Sequence, residues 1–177
     1  MKKFAPALGI VLFPYAVAFL LYCLFSGFLM DSVFQNNALA FLPVLAVLWA
    51  AGLACAVWLC TASLGKKWDP VEVSRANMLV KLCCIPAYLV IFVVGAACLL
   101  TIFTFGITLI LAILDGLALL LSGIFGLAAV KRCHDGKALS TAEAVLYGIL
   151  QFIFCADVVA AVLVFRRAKK RGAGLRP

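Results

Sequence analysis

"PAYLVIFVVGAACLLTIFTFGITLILAILDGLALLLSGIFGLAAV", residues 86–130, contains no lysine, arginine, histidine or glutamate, and one aspartate, Asp115. Drawn as one helix, its 45 residues would extend about 67 Å, more than twice the ~30 Å hydrocarbon thickness of a bilayer. The run must therefore cross, turn and return. "TFG" (104–106) is the expected turn, between spans over about 82–103 and 107–130.

Composition places the whole chain in the same solvent. Of 177 residues, 67% are hydrophobic and only 12% charged, and mean hydropathy is +1.22. A soluble domain is near half apolar and a quarter charged. So little polar surface cannot cover a core of this size, and lipid must solvate the rest. The expected class is all-α, a polytopic transmembrane helical bundle of four to five spans with a short interfacial helix, in a bacterial cytoplasmic membrane.

Upstream, an apolar stretch over about 6–30 follows "MKK". It is too long for a signal peptide and shows no A-x-A cleavage site, so an uncleaved anchor is expected, kinked at Pro14. "DSVFQNN" (31–37) links it to a second span, about 38–62, with Trp58 and Trp68 suited to one headgroup level. In "SLGKKWDPVEVSRAN" (63–77), Asp69 suits an N-cap, Pro70 the first helical position and Glu72 the third. An interfacial helix is expected to start there and feed the third span, with Pro86 bending it.

Downstream, "KRCHDGK" (131–137) reads as a polar link. Ser140 and Glu143 form a capping box that opens a fifth span, about 141–165. Residues 1–165 are thus read as one transmembrane helical domain and 166–177 as a basic C-terminal tail.

Net charge is +8 and the basic residues fall between or beyond the apolar runs. Such clusters favour the cytoplasmic side. Five crossings conflict with this. They put nine basic side chains on one side and the six of the tail on the other. Four crossings and one element that does not cross would reunite them.

Six residues stand out as candidate intramembrane polar sites: Asp115, Asp157, Gln151, Ser122, Asn77 and Lys81. Around Asp115, helical spacing gathers Thr108, Ala118, Ser122, Gly126 and Ala129 on one small, weakly polar face. Asp157 shares a face with Phe154, Ala160 and Ala161. Small faces let helices approach closely in lipid, so both acids are expected to point into the bundle. An aspartate at a helix centre costs about 2.5–3.5 kcal/mol on insertion scales. It serves as a packing hydrogen bond, or as a proton, ion or substrate contact.

In one continuous fifth helix, Gln151 lies about 120° round from Asp157, which separates the two. Asn77, Lys81, Cys84 and Tyr88 form one mixed polar stripe, and the Lys81 stem is expected to snorkel to the headgroups.

No nucleophile–base pair, HExxH, GxSxG or phosphate-cradling glycine loop is present, and no catalytic residue is proposed. The eight cysteines show no CxxC, and read as small packing residues. Cys133-His134-Asp135 alone groups ligand types, but adjacent residues rarely converge on one ion. No metal or cofactor is expected. A nucleic-acid partner is not expected either, because no basic stretch belongs to a soluble module.

At "NMLVKLCCIPAY" (77–88), "GLAAVKRCHDGKALSTAEA" (126–144) and "YGILQFIFCADVVAAVLV" (147–164), the chain resembles a family of small, uncharacterised multi-pass membrane proteins of anaerobic bacteria. The likeness covers the C-terminal 100 residues or so. It implies a membrane architecture and no activity.

The expected function is therefore a non-enzymatic accessory or interaction subunit. Its partners would be membrane lipids and, through the small-residue faces, itself or another membrane protein. The alternative is a small transporter or channel component using Asp115 and Asp157.

Overall fold

A computed structural model of the chain describes residues 4–26, 40–65, 68–100 and 105–173. The described residues are all-α and form six helices. These are α1 (Ala7–Phe25), α2 (Phe41–Leu64), α3 (Pro70–Leu99), α4 (Phe105–Asp135), α5 (Thr141–Leu150) and α6 (Ala156–Ala173).

Three segments are long and apolar enough to cross a membrane, Leu42–Leu64, Pro70–Leu99 and Gly106–Asp135. Ala7–Cys23 and Thr141–Leu150 are shorter apolar helices. Large apolar side chains lie on the outward faces as well as inside. Leu8, Phe19, Val47, Leu89 and Phe92 are exposed, while Phe13, Leu59, Leu121 and Phe125 are fully buried. Helices apolar all round are compatible with lipid solvation.

Several expected boundaries shift. Asp69 does cap, accepting from the Val71 N–H at 3.4 Å with Pro70 at the first position. The helix it starts is α3 itself, unbroken through Pro86, so the interfacial helix and third span are one element. "KRCHD" (131–135) is the last turn of α4 and not a link. The turn expected at 104–106 is only partly described: Phe105 and Gly106 already belong to α4. "DSVFQNN" (31–37) lies outside the described residues.

The largest departure is at 141–165, expected as one span. It is two helices, interrupted at residues 151–155. Its start is as expected. The Glu143 N–H donates to Ser140 Oγ (3.2 Å) and the Ser140 N–H to Glu143 Oε2 (3.0 Å). Arg166–Ala173, expected as tail, continues α6.

The helix ends sort into two groups. Phe4 packs edge-on against Trp68, at 5.0 Å between ring centroids. Arg132 donates to the Trp68 carbonyl from Nη2 (2.7 Å) and Nε (2.9 Å). A Cβ on Gly136 would meet Pro70, and one on Gly172 would meet Val71. The start of α1, the end of α2, the start of α3 and the ends of α4 and α6 are therefore neighbours. At the opposite end, Thr108 Oγ1 donates to the Gly95 carbonyl at 3.2 Å, joining the end of α3 to the start of α4.

Hence α5 and α6 form an antiparallel hairpin. It leaves the first end, turns, and comes back to that end, where Arg167 meets Glu143 at 2.8 Å. All described lysines and arginines other than Lys81 lie toward this end.

Polar and glycine contacts knit the long helices. Tyr15 donates to the Cys83 carbonyl (2.8 Å), and Trp49 to the Leu117 carbonyl (3.4 Å). A Cβ on Gly52 would lie 3.2 Å from the Gly9 carbonyl oxygen, so α1 and α2 cross at their backbones.

Candidate functional site

The hairpin tip is built on glycine. A Cβ on Gly123 would stand 2.5 Å from the Phe152 ring, and one on Gly126 would overlap the Gln151 amide. These two glycines of α4 let an unwound segment lie directly against the helix. Phe154 then packs on Tyr88 (5.9 Å between ring centroids) and Phe92 (6.3 Å), which fixes the tip to α3.

Nothing in "QFIFC" (151–155) is a glycine or proline. Even so, Cys155 adopts φ 64, the left-handed region that costs a non-glycine residue about 1–2 kcal/mol. The Ala156 N–H donates to the Phe154 carbonyl (2.8 Å) and the Asp157 N–H to the Ile153 carbonyl (2.9 Å), which starts α6 at once.

The interruption brings four elements to one ammonium. Lys81 Nζ of α3 donates to Asp157 Oδ2 at 2.8 Å, to Ser122 Oγ of α4 at 3.0 Å and to the Gln151 backbone carbonyl at 3.2 Å. An ammonium has three N–H donors, and all three are engaged. Lys81 and Ser122 are wholly buried and Asp157 is 2% exposed.

The helix ends assist. The C-terminal end of α5 presents a carbonyl to the cation, and the first turn of α6 carries the carboxylate, each with the favourable sign of the helix dipole. Lys81 is wholly buried against Asp157, so its stem does not carry the ammonium to the surface as expected.

Lys81 lies eleven residues into α3 from Pro70 and Gln151 ten beyond Thr141, about 15–17 Å along each helix at 1.5 Å per residue.

All six candidate residues are accounted for. Lys81, Ser122, Gln151 and Asp157 meet directly. The separation expected between Gln151 and Asp157 assumed a continuous helix, and the unwound segment removes it. Asn77 lies one turn before Lys81 on the same face of α3 and is wholly buried. Its two amide atoms make no hydrogen bond within the chain, and neither do those of the Gln151 side chain. Asp115 is half-buried, at the margin of the α4 face formed by the buried Ala118, Ser122, Gly126 and Ala129, and its Oδ1 is buried without a partner.

The stripe read from Asn77, Lys81, Cys84 and Tyr88 is the buried face of α3. On α6, Asp157, Ala160, Ala161, Val164 and Ala168 are buried together. The residues not anticipated are Gly123 and Phe152, which seat the tip, while Phe154, read as sharing the Asp157 face, lies in the unwound segment and packs on α3. Gly123 stands only one residue from Ser122, whose face was recognised.

The arrangement defines a class. It is an apolar helical bundle with a discontinuous helical hairpin and a charge-balanced polar centre at the break. The chain belongs to a family described as Family of unknown function (DUF6652), whose profile matches residues 5–170. That match takes in α1 to α5 and most of α6. No curated protein and no solved structure matches the chain.

Proposed function

We propose that the protein is an integral membrane protein in which α1 to α4 cross the bilayer and the α5–α6 hairpin is re-entrant. Both basic sets then lie on one side, the cytoplasmic side, and the conflict created by five crossings disappears. We further propose that the Lys81–Asp157 centre binds a small, uncharged polar solute that passes through the bundle. This makes the protein a small channel or carrier component rather than an enzyme.

The observation that carries this reading is the pair of orphaned amides. Asn77, one turn before Lys81, and Gln151, whose backbone carbonyl accepts from the Lys81 ammonium, hold four buried amide atoms with no hydrogen-bond partner in the chain. Each buried amide group left without a partner costs about 1–3 kcal/mol. A guest offering both donors and acceptors, such as water, an amide or a polyol, would complete them. Because Lys81 and Asp157 balance each other, the centre favours a guest with no net charge. Discontinuous helices are also a recurrent way to place backbone carbonyls in membrane binding sites.

The accessory-subunit reading rested on small-residue faces free to meet partner helices. Ala118, Ser122, Gly126, Ala129, Ala160 and Ala161 are all buried within the chain, which supports internal packing as their use.

Stopped-flow light scattering on proteoliposomes tests the proposal. Wild-type vesicles should shrink and reswell faster than protein-free vesicles with at least one of water, urea, formamide or glycerol. Asn77→Leu should remove the excess while the protein still elutes as a folded species. Equal rates for all four solutes, with and without protein, would sink the reading.

A further inference from the structure

A groove of about 800 Å³ lies between the first turns of α3 and the last turns of α6. Its volume is in the ~300–1,000 Å³ range of ligand sites. Two cationic side chains, Arg75 and Lys169, line it together with the apolar Met78, Leu79 and Phe165. Gly172, also in the lining, keeps the wall low, since a Cβ there would stand 3.2 Å from Val71 Cγ2.

The chemistry is graded along the groove. Lys169 and Gly172 are near the helix ends, and Phe165 and Leu79 are closer to the level of Lys81 and Asp157. Arg75 and Lys169 are exposed, and neither forms an ion pair among the described residues. Asp69 also lines the groove, and its Oδ1 accepts from the Val71 N–H at 3.4 Å in capping α3, so the two cations outnumber the one acid there.

Cations at the helix ends above an apolar, lipid-facing wall complement one kind of molecule, an amphiphile with an anionic head. We propose that this groove is a binding site for an anionic glycerophospholipid. The phosphodiester lies between Arg75 and Lys169, and the acyl chains run past Met78, Leu79 and Phe165. Guanidinium suits a phosphate bidentately, and a lysine ammonium adds a mobile second charge. The lipid would bridge α3 to α6, the two helices that carry Lys81 and Asp157. The proposal needs the membrane placement of the hairpin and does not depend on any transported solute.

The test uses full-length protein in a neutral maltoside detergent. Native mass spectrometry counts bound lipid, and thermal unfolding follows a titration. The probes are phosphatidylglycerol, phosphatidylcholine with the same chains, and glycerol 1-phosphate. Phosphatidylglycerol should bind at one dominant site and raise the melting temperature. Neither of the other two should do so at the same concentration.

The double variant Arg75→Gln, Lys169→Gln should weaken phosphatidylglycerol binding at least tenfold. Gly172→Leu, which fills the groove without altering charge, should weaken it similarly. The double variant Arg166→Gln, Arg171→Gln removes the same charge outside the groove and should change it less than threefold. Equal loss in both double variants would reduce the effect to net charge and overturn the site. So would equal binding of phosphatidylcholine, or binding of glycerol 1-phosphate alone. An unstable groove variant is judged by lipid count on its folded fraction, and a count equal to wild type overturns the proposal.

Discussion

Lys81 Nζ and Asp157 Oδ2 stand 2.8 Å apart in the interior, although 76 residues separate them in the chain. Each explains the other. A buried charge of either sign is costly unless an opposite charge is placed against it. Together they hold the tip of the α5–α6 hairpin against α3.

Removing either partner should therefore cost far more than removing both. Lys81→Met or Asp157→Leu alone leaves one buried charge, a loss of about 3–5 kcal/mol. The double variant should recover at least half of that, because no charge is stranded. Unfolding in mixed micelles across the cycle measures the coupling. Additive losses would show that the pair does not hold the hairpin.

The hairpin tip should also respond to single methyl groups on α4. Gly123→Ala drives a Cβ to 2.5 Å from the Phe152 ring, whereas Gly116→Ala meets nothing within 4 Å. The first should destabilise by about 1–3 kcal/mol, as overpacking does. The second should be neutral or slightly stabilising, since alanine is the better helix former. Thermal unfolding of the two variants checks this, and equal effects would place the tip elsewhere.

Sidedness gives a third expectation. In a cysteine-free background, Lys137→Cys and Lys170→Cys should react with an impermeant thiol reagent from the same side of the membrane. Ser26→Cys should react from the other. Labelling of positions 137 and 170 from opposite sides would mean that the fifth segment crosses.

Much of this was legible in the sequence. The 45-residue apolar run requires a return, Asp69-Pro70 and Ser140–Glu143 announce helix starts, and the spacing of Asn77, Lys81, Cys84 and Tyr88 marks the buried face of α3. The interruption at 151–155 was not legible. Helix breaks are usually read from glycine or proline, and "QFIFC" has neither. Its cause is tertiary: two glycines on α4 that admit the tip, aromatic contacts to α3, and an ion pair that offsets the strain at Cys155. Once the helix is broken, the angular separation of Gln151 and Asp157 loses its meaning.

The start of α5 should show acid sensitivity. The Ser140 N–H, with Arg167 nearby, holds the Glu143 carboxyl below the ordinary glutamate value. A depressed acid stabilises the fold above its unfolded pKa, about 4.3. That contribution is lost as pH falls through the lower folded value. Glu143→Gln can still complete a capping box and should remove this pH dependence while keeping the helix start. Glu143→Ala should lose both. Hydrogen exchange at Ala144 and Val145 between pH 3 and 6 would read the difference.

The hairpin that satisfies Lys81 is also the last part of the bundle to be made. At about 5–20 residues per second, Asp157 leaves the ribosome some 4–15 s after Lys81. During that interval α3 carries a cation with no carboxylate to receive it. In the proposed bilayer placement an unpaired Lys81 draws α3 toward the interface over that interval, and the helix settles at its final depth only once α6 supplies the carboxylate. A chain stopped before residue 157 should then hold α3 shallower than the full-length protein does.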